Sequence, residues 1–301
     1  ANSTLWLVGS VRCVYETDLY GTGFAGGKIV ARAAEPEAVK DELISVTAGL
    51  LESLDGAMIT GCDLNTSLED MERLTELTPH VLAAVGSPVD ASAATAHGTL
   101  GAVEAVLEST LADAKPGRAL VHGCGAVGGT VARVLVEHGW TVFTVDLSPE
   151  RAGFPGATPL PQDCPWWELK LDLLLPCSIS GLINAEIASA LRVKSVVPAA
   201  NAPFQSSQLA DDLRRRGIRV LPDPLVNAGA VIADSIERFS PDAWKGAGAE
   251  DVYAFVRSEV RQRATDYLNQ RDQGLSVGAA LVEVTAERET DPIGLSFGDE
   301  A

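Results

Sequence analysis

Three glycines and one aspartate are the residues whose spacing most plainly implies chemistry. Gly123, Gly125 and Gly128 form G-x-G-x-x-G directly after the apolar run Arg118–His122 and at the head of a helical stretch, Val127–His138. In such a turn the first glycine permits the tight bend and the second lets a pyrophosphate approach the backbone. The third lets helix and strand pack closely. The helix start then offers N–H groups that have no partner within the helix. Asp146 closes the next apolar run, Thr141–Val145, 18 residues after Gly128. A carboxylate there accepts hydrogen bonds from both hydroxyls of an adenosine ribose and repels a 2′-phosphate. The expected ligand is therefore NAD rather than NADP, held by Gly123, Gly125, Ala126, Val127, Gly128, Asp146 and Leu147. A structural glycine turn beside a solvated aspartate is the plainer alternative; the strand–turn–helix context favours the dinucleotide.

Other chemistries find little footing. Cysteines at 13, 62, 124, 164 and 177 form no C-x-x-C pair and are odd in number, which argues against a disulfide framework or a zinc site. Neither H-E-x-x-H nor G-x-S-x-G occurs. No metal is expected. A formal charge of −18 disfavours nucleic acid and anionic lipid as partners, and no apolar run reaches the length of a membrane span. The expectation is a soluble protein of a reducing compartment, either the cytoplasm or, if a leader was removed before Ala1, an organelle interior. His97 and His122 read as packing residues, and Cys124 and Cys177 as small buried fillers.

These residues need a scaffold, and the chain supplies a strand–helix alternation. Candidate strands are Arg118–His122, Thr141–Val145, Leu171–Leu175, Ser195–Val197 and Ile218–Leu221, with helices at about 127–138, 185–191 and 207–216 between several of them. Short apolar strands divided by helices imply a parallel sheet covered on both faces. Before this region, Pro36 opens a helical pattern that Gly56 closes, and Ala57–Thr60 reads as a short strand. Thr66 with Glu69 reads as a capping box, and a further helix runs from about 93 to 112. Lys115-Pro116-Gly117 reads as a domain break. Helices at roughly 250–269 and 277–288 follow, then a frayed tail. The fold class is α/β: a Rossmann domain at 113–264 and a smaller α/β domain at 1–112, rejoined by helices at about 265–290, with a tail at 290–301.

Further segments resemble the glutamate/leucine/phenylalanine/valine dehydrogenase family, and its leucine dehydrogenases most closely. They are Ala25-Gly-Gly-Lys28-Ile-Val, Ala57-Met-Ile-Thr-Gly-Cys-Asp63-Leu-Asn-Thr-Ser-Leu-Glu-Asp-Met71, Pro176-Cys-Ser, Ala199-Ala-Asn201 and Pro222-Asp-Pro-Leu-Val-Asn227-Ala-Gly-Ala-Val-Ile232. The resemblance runs from about Tyr15 to Arg288. It implies that Lys28 is a catalytic base and Asp63 a proton relay, with Cys177, Asn201 and Asn227 near the cofactor and Gly27, Val231 and Asp234 near the substrate. The chemistry is coherent: oxidative deamination needs a base to activate water against an iminium, and a partly buried lysine beside other cations can serve. Spacing alone leaves Lys28 as a solvent-facing lysine and Asp63 as a helix-approach cap.

Two departures stand out. The region before Lys28 is shorter than in the family, so its domain is expected to be reduced. The family lysine that binds the substrate carboxylate, 12 residues before the catalytic one, falls on Glu16. A carboxylate facing a carboxylate repels it. Asp234 replaces a pocket valine and, if it faces the pocket, favours a polar or cationic substrate; turned to solvent, it favours none. The leading expectation is reversible NAD-dependent oxidative deamination of an L-amino acid to a 2-oxo acid, by a homo-oligomer or a subunit of a larger assembly. The alternatives are a catalytically impaired NAD-binding relative, serving as structural subunit or redox sensor, and an NAD oxidoreductase for some other substrate.

Overall fold

The structure is a computed structural model that describes residues 4–9, 14–63, 65–110, 116–286 and 291–298. Lys115, the expected helix ends at 112 and 288, and both extreme termini lie outside the described residues. The chain divides into two compact units: residues 1–88, 234–247 and 290–301 form one, and residues 89–233 and 248–289 the other.

In the first unit, β1 (Thr4–Gly9) pairs antiparallel with β2 (Gly27–Arg32), and α1 (Val14–Leu19) lies between them in sequence. A 3₁₀ turn at Pro36–Val39 leads into α2 (Lys40–Ser53), where a single helix from Pro36 was expected. The α2 residues Ala48 and Leu51 pack with Met71 and Leu74 of α3 (Leu68–Thr75) to make a small core. The capping box of α3 is Ser67 with Asp70, one residue later than expected. Thr66 is unavailable for it, because its hydroxyl bonds back to the carbonyl and amide of Asp63. The expected strand at 57–60 is a single bridge between Thr60 and Val81.

The tail also departs from expectation. A 3₁₀ turn at Ile293–Ser296 has buried Ile293 and Gly294. The Gly294 amide donates to Ser235 Oγ at 3.0 Å, and that hydroxyl donates to the Thr22 carbonyl at 2.9 Å. A Cβ on Gly294 would lie 2.1 Å from the Ser235 carbonyl oxygen, so the turn presses on backbone and only glycine fits.

In the second unit, α4 (Ala91–Thr110) precedes a six-stranded parallel sheet. Its strands are β3 (Arg118–His122), β4 (Thr141–Val145), β5 (Ala157–Pro159), β6 (Lys170–Pro176), β7 (Arg192–Val196) and β8 (Arg219–Val220). Their spatial order, β5-β4-β3-β6-β7-β8, is the doubly wound Rossmann arrangement with its reversal between β3 and β6. The helices α5 (Ala126–Glu137), α6 (Pro149–Ala152), α7 (Ala185–Ala190), α8 (Ser207–Arg215) and α9 (Asp223–Val226) punctuate it. The helix α10 (Gly229–Phe239) is divided between the units after Ala233, α11 (Pro241–Gly246) belongs to the first, and α12 (Ala249–Asp272) and α13 (Val277–Ala286) belong to the second. Apolar residues of β3, β6, β7, α7 and α8 fill the main core, including Leu120, Leu174, Val196, Ile187 and Leu213. β5, with only three residues and two of them exposed, was not expected.

The units divide the chain elsewhere than at residue 112, and α12 and α13 belong with the sheet. The reason lies on α4. A Cβ on Gly101 would sit 2.2 Å from the Arg257 carbonyl oxygen, and one on Gly98 3.2 Å from Val260 Cγ2. The small face of α4 thus lets α12 approach at backbone distance. The ion pairs Arg257–Glu104 and Arg261–Glu108 flank that contact.

Candidate active site

The glycine turn joins β3 to α5, and each glycine meets a different requirement. Gly123 has φ of +92°, and a Cβ there would sit 2.6 Å from Ser178 Cβ. A Cβ on Gly128 would fall 2.0 Å from the Gly123 carbonyl oxygen. At Gly125 a Cβ would meet nothing within 4 Å, so that position opens outward. Two glycines serve the fold and the middle one leaves room. Ala126 and Val127 form the first turn of α5, whose early N–H groups face that room.

Asp146 follows the end of β4, half-buried. One carboxylate oxygen accepts the Cys124 amide at 2.6 Å and the other the Ser148 amide at 2.8 Å. Burial pushes this carboxyl up, but the two amides, helped by Arg151 and His122, hold it below the usual carboxylate range. A carboxylate has about four acceptor positions, so two remain open to the donors of a ligand. Leu147 beside it is 85% exposed, an apolar side chain left uncovered at the rim.

Asn201 and Asn227 come together. Asn227 Nδ2 donates to Asn201 Oδ1 at 2.7 Å and to the Ala199 carbonyl at 3.3 Å. Asn227 Oδ1 is buried with no donor among the described residues. Buried polar atoms are rarely left so, which marks this oxygen as an acceptor for a ligand N–H. The residues present therefore fit a dinucleotide. Cys177, beside the turn, has its thiol pushed up to about 12 by burial, as burial pushes Cys124 up to about 11. Neither is a nucleophile at neutral pH.

Lys28, second residue of β2, pairs directly with Asp63, 35 residues later. The side chains are 48% and 61% exposed. Thr66 fixes the Asp63 backbone through the bonds described above. An added Cβ on Gly27 would make an ordinary van der Waals contact with Met58 Cε at 3.7 Å. Glu16 lies half-buried on α1. Val231 and Asp234 both lie on α10 and are both half-buried. Burial, and then the Glu237 carboxylate one turn on, push the Asp234 carboxyl up to about 8. Burial raises Glu237 as well, although the Ala84 amide donates to it at 3.0 Å.

Several contacts around the site could not be read from the sequence. Gln162 Nε2 donates to the Leu147 carbonyl at 2.9 Å, steadying the loop after β4. His122 Nδ1 and Ser178 Oγ lie 2.8 Å apart beside the glycine turn. Asp223 accepts the Ala202 amide at 2.8 Å and so holds the Asn201 loop, where Ala202 has φ of +44°. Only Glu237 had a signal, its helical spacing from Asp234.

Known proteins bear on this geometry. A valine dehydrogenase of Streptomyces virginiae is 30% identical over 291 residues, covering 92% of this chain and 79% of that protein. The chain belongs to the glutamate/leucine/phenylalanine/valine dehydrogenase family. That family's sequence model also matches residues 148–289. An L-tryptophan dehydrogenase of Nostoc punctiforme is 29% identical over 215 residues, 69% of this chain and 61% of the relative, so the match spans about three fifths of that protein's length. Its crystal structure superposes with a TM-score of 0.72 at 23% identity, covering 94% of this chain and 80% of that one. The hetero-hexameric glutamate dehydrogenase of Thermus thermophilus superposes at 0.74 with 19% identity, over 96% and 77%. These likenesses establish an amino-acid-dehydrogenase fold.

Proposed function

We propose that the protein is an NAD-dependent L-amino-acid dehydrogenase, catalysing the reversible oxidative deamination of an amino acid to a 2-oxo acid. The observation that carries this reading is the cradle of Gly123, Gly125 and Gly128 with Asp146. Two of its glycines are required by packing and the third is open, and the carboxylate keeps free acceptor positions. Ala126 and Val127 would present amides to the pyrophosphate, Asp146 and Leu147 would hold the adenosine, and Asn201 and Asn227 the nicotinamide end beside Cys177. When bound, the dinucleotide supplies the hydride acceptor.

The protein's own share is proton handling. Lys28 Nζ would take a proton from water, and Asp63 would carry a proton to the departing ammonia. Their direct contact would let a proton pass between them. We place Gly27 and Asp234, both of the first unit, beside the substrate. With Glu237 beside it, a raised Asp234 carboxyl is stabilised by a cationic or hydrogen-bonding side chain more than by an aliphatic one. The named relatives are dehydrogenases, which gives the catalytically impaired alternative no support. Assembly into an oligomer is part of the same reading, since a relative in fold is described as hetero-hexameric. The test is NADH formation from each common L-amino acid at alkaline pH. Turnover abolished by Lys28→Ala supports the reading, and no turnover with any amino acid overturns it.

A further inference from the structure

The opposite edge of the parallel sheet carries a second concavity, at the amino-terminal ends of β3, β6 and β7. The glycine turn lies at the carboxy-terminal end of β3, so the two openings belong to opposite ends of the sheet. This cavity has a volume of about 570 Å³, within the range that holds small organic ligands. Its charged lining is Arg118, Lys170, Arg192, Lys194 and Arg216 against the single carboxylate of Asp172. Five of the chain's 23 lysines and arginines thus converge on one opening of a protein with 41 acidic residues.

Three of these cations have structural work. Lys194 pairs with Asp172 at 2.8 Å. The Arg216 guanidinium donates to the carbonyls of Ala188 and Leu191, where α7 ends. Arg118 lies 5.1 Å over the Phe143 ring, and its amide donates to Asp172. Lys170 and Arg192 have no such task. They are direct register partners on β6 and β7, both exposed, and among the described residues neither has a carboxylate within ion-pair reach. Like charges placed opposite one another on neighbouring strands destabilise a sheet. In a chain so rich in acids, a cross-strand cation pair left uncompensated is the arrangement that a multiply charged anion would relieve.

We infer that this cavity is a binding site for a small polyphosphate-bearing anion, with Lys170 and Arg192 as its principal ligands. Arginine supplies forked donors that match phosphate oxygens, and lysine a compact charge. A recess lined by one sign of charge also concentrates counter-ions. The source of the phosphates is either free polyphosphate or a nucleoside phosphate.

Inorganic tripolyphosphate titrated calorimetrically into the full chain, after saturation with NADH, tests the site. The expected result is one-to-one binding with Kd below about 1 mM near 0.15 M salt. It weakens at least about tenfold, or 1.4 kcal/mol, in Lys170→Gln/Arg192→Gln. Hydrogen exchange on the unmodified protein reads the same site without a variant, with slowed exchange expected in the first halves of β6 and β7. ATP in place of tripolyphosphate separates the sources: tighter binding assigns a nucleoside phosphate, equal or weaker binding the free polyphosphate. Unchanged affinity in the double variant, slowed exchange confined to residues 123–128, or binding seen only as a change of oligomeric state would overturn the proposal. A chain that bound tripolyphosphate but not NADH would leave this site standing and sink the dinucleotide reading.

Discussion

The glycine cradle and the Lys28–Asp63 pair are built in opposite ways. The cradle is backbone: its shape follows from where a Cβ can and cannot exist, and few side chains shape it. The pair is two exposed side chains on separate segments, joined by charge and steadied by one threonine hydroxyl. A backbone device leaves a fixed mark in sequence, because at Gly123 and Gly128 only glycine satisfies it. A side-chain device leaves two ordinary residue types at an arbitrary separation.

The sharpest way to break this comparison is to remove the proposed base. Lys28→Ala should lower the deamination rate by about 10²–10⁴-fold, the usual worth of a general base, with NAD affinity unchanged. Stopped-flow turnover beside a fluorescence titration of the cofactor reads both quantities. Equal loss of binding and rate would mean that the two regions are not separable.

Within the cradle, Gly128→Ala and Gly125→Ala should diverge. At Gly128 the new methyl meets a carbonyl at 2.0 Å, so the variant should lose roughly 1–3 kcal/mol of stability, typical of overpacking. At Gly125 the methyl meets nothing, so the melting temperature should hold while NAD binding weakens. Identical melting temperatures for the two variants would remove the distinction between packing glycine and access glycine. Asp146→Asn should narrow the preference for NAD over NADP. A charge-assisted hydrogen bond is worth about 1.5–3 kcal/mol, or a factor of about ten or more in relative affinity.

The remaining prediction concerns Asp234 and is read as a slope against pH. Its folded carboxyl holds a proton up to about pH 8, whereas the unfolded chain releases it near the ordinary value of 3.8. Folding therefore takes up a proton between those limits. The associated stability is complete below about pH 4 and is lost as pH rises through about 8, at no more than about 1.36 kcal/mol per unit. Asp234→Asn should flatten that slope in urea unfolding between pH 5 and 9. An unchanged slope would show that Asp234 does not titrate there.

Much of the sheet could be read directly from the chain. β3 and β4 match their expected bounds because apolar runs flanked by glycine and aspartate leave little freedom. β5 escaped notice because two of its three residues are exposed and it has no alternation to detect. The division into units was misplaced because small residues on α4 look like ordinary helix formers, and only their partner α12 gives them meaning. The tail looked unstructured because one glycine against one serine carbonyl has no periodicity. Of the candidate site, the cradle was legible from residue types alone, and Lys28 with Asp63 only through likeness to relatives. The cationic recess was invisible, since its residues are scattered from 118 to 216 and only strand register gathers them.

The clasp between α4 and α12 bears on how the molecule is made. Arg257 and Glu104 stand 153 positions apart, and Gly101 rests on a carbonyl from the same late segment. A ribosome has therefore released the whole glycine turn well before the helix that completes its unit emerges. Until then the small-residue face of α4 stays wet, and a nascent chain halted short of Ala249 should remain open to proteases despite carrying every residue of the cradle.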